Sequence, residues 1–109
     1  MSMKKEEIQG IKDVMNGFNV DMLQRISDNR ETNEGAGVFE DVDVEHCIER
    51  IQDNLNTVKK LNESMDNMSE EDWEQHLAAI EELKIESFRH LADIANYSMM
   101  IRHEMMITG

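Results

Sequence analysis

Not one of the 109 residues is a proline, so no position removes a backbone donor from a helix or forces a kink in it. The rest of the chain presses the same way. Ten methionines, many Glu, Lys, Gln and Leu, and an aromatic share of only 5% favour helix, because straight side chains lose little rotamer freedom there. No alternation of apolar and polar residues competes, and the chain reads as all-α.

Apolar spacing divides the chain into segments. From Lys4 to Asn29, Ile8, Ile11, Met15, Phe18, Met22, Leu23 and Ile26 recur at helical intervals, with Gly10 and Gly17 as points where the helix could bend or split. Residues 31–42 hold two glycines and no period, and read as a loop whose Val38 and Phe39 tuck into the core. Asp43 is a candidate N-cap for the best-defined helix, along which Val44, Cys47, Ile48, Ile51, Leu55, Val58 and Leu61 step by three or four. An acidic insertion rich in Asn and Met follows at 62–72. Ser69-Glu-Glu-Asp-Trp73 then has the form of a helix start, a hydroxyl acceptor followed by acids at the positive end of the dipole.

Beyond it, Trp73, Leu77, Ile80, Leu83, Phe88, Leu91, Ala92, Ala95 and Met99 form one row and Ile94, Tyr97 and Ile101 a second. A helix that is apolar on two sides needs cover on two sides, so the last helix is expected to be central. Met99, Met100, Met105 and Met106 suit irregular gap filling. The expectation is a single domain over 1–109, a bundle of three to four helices. A chain this short buries only about two-thirds of its unfolded surface, so surplus apolar area points to a homo-oligomer, dimer or tetramer.

The formal net charge of −13 is concentrated. Residues 1–30 carry five acids and five bases, residues 87–109 two of each, and 31–86 carry 17 acids against Arg50, Lys59, Lys60 and Lys84. Like charge opposes approach to phosphate backbones or anionic lipid, which argues against direct nucleic-acid or membrane binding. The run Glu40, Asp41, Asp43 and Glu45 is instead a face suited to a basic protein partner. A lone Cys47, no secretory pattern and no run of 18 apolar residues fit a cytoplasmic protein.

For chemistry, Glu86, His90 and Asp93 lie at i, i+4 and i+7 on one face, and Glu49 and Asp53 lie one turn apart on the preceding helix. If those faces meet, five groups able to hold a first-row divalent ion surround one cleft. The competing reading is a solvated acidic face with a hydrogen-bonded histidine. Cys47 falls within an apolar stripe and reads as a small buried hydrophobe, since apolar surroundings raise a thiol pKa. No Ser/His/Asp set is present, and Gly35-Ala-Gly37 is too short to cradle phosphate.

The stretch Gly37-Val-Phe-Glu-Asp-Val-Asp-Val-Glu-His-Cys-Ile-Glu-Arg-Ile51, with Leu91-Ala-Asp-Ile-Ala-Asn-Tyr-Ser-Met-Met-Ile101, resembles the MazG-like nucleotide pyrophosphohydrolases of the all-α NTP-pyrophosphatase superfamily. The resemblance covers roughly 35–61 and 86–105, and it implies a MazG-like helical bundle, dimeric or a dimer of dimers. In that family four carboxylates hold Mg²⁺, which neutralises the triphosphate and activates water; hard oxygen ligands are what that ion requires. Carried over residue by residue, the four positions are Asn54, Thr57, His90 and Asp93, with Asn96 in the closing Asn-Tyr motif.

Only Asp93 is a carboxylate. An amide, a hydroxyl and an imidazole do not replace three negative charges, so the resemblance implies a family fold that has lost the reaction. It would act by binding a nucleotide in the old cleft or a protein partner on the acidic face, with no resident cofactor, and a phage or mobile-element origin would suit it. The alternative is an active nucleoside triphosphate pyrophosphohydrolase using Mg²⁺ or Mn²⁺ on shifted ligands, Glu49, Asp53, Glu86, His90 and Asp93. A third reading is a plain oligomeric scaffold.

Overall fold

The computed structural model describes residues 2–32 and 39–108, which form four helices and no strand: α1 (Lys5–Thr32), α2 (Val44–Asp66), α3 (Glu70–Gln75) and α4 (Leu77–Thr108). The all-α reading holds. Val38, Gly35 and Gly37 lie outside the described residues.

α1 runs unbroken for 28 residues. A Cβ placed on Gly10 or Gly17 would meet nothing within 4 Å, so neither glycine serves a close approach. Each weakens the helix by about 0.5–1 kcal/mol relative to alanine without ending it. The helix is therefore not split at either position.

α2 begins where its sequence signal lies. The Asp43 carboxylate accepts from the His46 amide at 3.2 Å, and Asp43 itself is extended, as a cap residue is. The helix continues to Asp66, so the first five residues of the expected insertion at 62–72 are its last turn.

The start signal at Ser69 is real but opens a short helix. Ser69 and Asp72 exchange two hydrogen bonds at 3.2 Å, a complete capping box. After six residues His76 leaves the helical region (φ −124°, ψ 37°), and α4 then starts afresh. The expected single helix from Ser69 to Ile101 is thus two, joined at His76. Trp73 and Lys84 bridge them, the ammonium lying 5.8 Å from the ring centre.

α4 is the central element. It contacts α1, α2 and α3, and both large partners run antiparallel to it: Cys47 packs with Tyr97 and Met100 while Asn54 meets His90, and Met22 meets Asn96 while Arg25 meets Asp93. The apolar core lies between α2 and α4, where Cys47, Tyr97 and Met100 are buried and Phe39, Val42, Ile51 and Ile101 pack around them. Phe39 also sets its ring edge-on to His103 at 5.7 Å. Burial pushes the Cys47 thiol up, with Asp43 adding to the effect, and it is an inert core residue. Among the described residues no helix is long and apolar enough to cross a membrane.

Candidate functional site

The polar residues singled out from sequence collect along α4, but they face two different neighbours. Towards α2, the His90 Nδ1 lies 2.6 Å from the Asn54 Oδ1. The Asn54 amide is oriented by its own NH₂, which donates to the Arg50 carbonyl at 2.7 Å. Its oxygen must therefore accept, and the hydrogen of the pair sits on Nδ1 of His90. The other ring nitrogen lies 3.2 Å from Glu86, one turn back on α4. With Nδ1 donating, that contact is a hydrogen bond only when Nε2 carries a proton too.

Towards α1, Asp93 is held by Arg25 in a two-pronged pair, Nε to Oδ1 at 3.0 Å and Nη2 to Oδ2 at 2.9 Å. The Asn29 amide makes longer contacts of 3.5 Å with both members. The hydrogen bond to Asp93 holds the Arg25 guanidinium even more firmly protonated than usual, against the opposing effect of burial. Asn96, fully buried, donates to the main-chain carbonyl of Met22 at 3.0 Å, and its Oδ1 meets no donor among the described residues.

The remaining candidates do not join these contacts. Thr57 is half-buried and donates to the Asp53 carbonyl one turn back, at 3.1 Å. Asp53 is exposed beside Arg50 at 3.8 Å, Glu49 is exposed, and Glu86 is shared between His90 and Arg89. Among the described residues no three His, Cys, Asp or Glu side chains lie close enough together to hold a metal ion. The five shifted ligands of the enzyme reading thus form no cluster: Asp93 turns to Arg25 while His90 turns to Asn54. A metal at Asp93 would sit against the guanidinium that already bridges both oxygens, two like charges on one carboxylate.

Glu40, Asp41, Asp43 and Glu45 are all exposed around the start of α2. Asp43 is committed to its cap, and Asp41 sits in the left-handed region at φ 53°, which aspartate tolerates better than most residues. Elsewhere, a cleft of about 380 Å³ opens between α1 and α4 beside Arg25, lined by Phe88 and Arg89 from α4 and by Asp21 and Asp28 from α1.

Three residues of the site were not among those singled out from the sequence. Arg25 and Asn29 look like solvated positions on α1, yet they extend the apolar stepping Ile8, Ile11, Met15, Phe18, Met22 by further intervals of three and four. That spacing is the signal that marks them as inward-facing. Arg50, the third, has its guanidinium pKa raised chiefly by interaction with Tyr97; nothing in its local sequence distinguishes it from a surface cation. Compared with protein-family models, with curated proteins and with solved structures, the chain matches none.

Proposed function

We propose that this is a non-catalytic MazG-like protein that works by binding a partner rather than by turnover. One observation carries the reading. Asp93, the single carboxylate among Asn54, Thr57, His90 and Asp93, is already neutralised by a two-pronged arginine pair. A carboxylate so engaged has its charge met by a guanidinium that a divalent ion would have to approach against like charge, and its neighbours His90 and Asn54 are occupied with each other. The groups that would organise a triphosphate and a water in the resembling family are here spent on joining helices.

The partner we favour is a basic protein surface recognised by the acidic start of α2. Glu40, Asp41 and Glu45 are exposed there with no basic side chain bonded to them among the described residues. A second reading, a nucleotide held without hydrolysis, draws support from the cleft beside Arg25 and Arg89. Aspartates 21 and 28 on the same walls oppose a phosphate, which ranks it below the protein partner.

Two measurements test the proposal. Incubation with ribo- and deoxyribonucleoside triphosphates and Mg²⁺ or Mn²⁺ releases no pyrophosphate; turnover abolished by Asp93→Ala would restore the enzyme reading. In pull-downs, association weakens with salt, because exposed charges are screened beyond about 8 Å at physiological ionic strength. Reversal of Glu40, Asp41 and Glu45 to lysine, sparing the cap at Asp43, weakens it in the same way. A partner indifferent to both treatments removes the acidic face from consideration, and saturable nucleotide binding lost in Arg89→Ala moves the reading to the cleft.

A further inference from the structure

Much of the first half of α1 stands exposed. Every residue from Gln9 to Asp21 is exposed, although Ile11, Met15 and Phe18 stand in one row at 47%, 56% and 38% exposure. That row is not a random apolar patch. Ile8, Ile11, Met15, Phe18, Met22, Arg25 and Asn29 alternate steps of three and four without a break over three heptads, the spacing that keeps one seam of a helix against a neighbouring helix. In its last third the seam is used: Met22 receives Asn96, and Arg25 and Asn29 engage Asp93. From Ile11 to Phe18 the same seam, now wholly apolar, is bare.

We propose that the bare stretch of this seam, from Ile11 to Phe18, is an interface with a second copy of the same chain. Two observations select that occupant. The seam is continuous with the established contact to α4, so its geometry is already that of a helix-packing surface rather than of a ligand pocket. The charge distribution then limits which faces of two such molecules can meet. The 17 acids and four bases of residues 31–86 make the middle of each copy repel its twin, whereas residues 1–30 balance five acids with five bases. α1 is thus where two molecules of net charge −13 meet the least electrostatic opposition, and it is also where the apolar side chains are uncovered. The two glycines fall off the seam: Gly10 and Gly17 both precede a seam residue by one position, leaving the row itself to large side chains. This interface is independent of whether the protein binds a partner or a nucleotide elsewhere.

The test is the mass of the full chain in solution, by light scattering after gel filtration and by sedimentation equilibrium across a concentration series. The parent associates reversibly. Met15→Glu and Phe18→Glu each place a charge in the seam and weaken association by about a hundredfold. Phe18→Ala, which adds no charge, weakens it by about tenfold. Val20→Glu, on the opposite side of α1 and 65% exposed, leaves it unchanged, and all four keep the parent's helical circular dichroism because none of these side chains is buried within one chain. Added salt leaves association intact or tightens it by screening the acidic middles. A parent that is monomeric throughout, an assembly that ignores the seam variants, or one that is lost equally in Val20→Glu overturns the proposal.

Discussion

The two seams of α4 are built from opposite materials. Against α2 it presents Tyr97 and Met100 to Cys47 and Ile51, with one polar pair, Asn54 and His90, to the side. Against α1 it presents Asp93 and Asn96 to Arg25, Asn29 and the Met22 carbonyl. The first seam is held by removing apolar surface from water, a force that is strong but not directional. The second is held by hydrogen bonds and an ion pair that fix one register and gain little once desolvation is counted. α2 and α4 thus form the stable unit, and α1 is positioned against it more than glued to it.

The largest expected effect comes from breaking the apolar seam. Tyr97→Ala empties a site that is 3% exposed at the centre of the core, and should cost about 3 kcal/mol or more, as aromatic deletions in cores do. Urea denaturation followed by circular dichroism gives the value, and loss of cooperativity would show that no second core compensates.

Next comes the polar seam. Arg25→Met strands the Asp93 carboxylate, whose side chain is only 12% exposed, and should cost about 2 kcal/mol, discounted for the partial exposure of Arg25. The contrast between seams is sharpened by the double variant Arg25→Met with Asp93→Leu. It should recover most of that loss, since replacing a buried pair by apolar groups is often neutral or stabilising. Failure to recover would mean that the pair contributes net stability and that the two seams are more alike than described.

The smallest effect is local to α3. The hydrogen bonds from the Ser69 backbone and side chain hold Asp72 below the usual carboxylate value of 3.8. A group whose pKa falls on folding contributes stability that is complete above its unfolded pKa and is lost as pH falls through its folded one. The cap should therefore persist at neutral pH and melt only in acid below about 3.8. Trp73, the single tryptophan, sits in that helix and reports it by fluorescence. In Asp72→Asn the acid transition should vanish while both seams of α4 remain unaffected.

What could be read from the sequence follows the same division. The stripe on α2 and its Asp43 cap were legible because both depend on residues within a few positions of one another. The break at His76 was not, since a Ser69 start signal serves a six-residue helix as well as a thirty-residue one. The spacing of Glu86, His90 and Asp93 correctly puts them near one face of a helix, but spacing within one helix cannot say that its neighbours lie on either side. α1 takes Asp93 and α2 takes His90. Arg25 stayed hidden because its partner is 68 positions away, and a charged residue invites a solvent reading unless its place in a longer row of steps is followed.

Cys47 has a consequence for how the molecule can be watched. It is the one thiol in the chain and is 2% exposed at the heart of the α2·α4 contact. A thiol reagent reaches it only during excursions in which those helices part. The rate at which the native protein is labelled therefore counts those openings directly, with no probe introduced, and whether α1 guards the core or merely leans on it becomes a matter of timing.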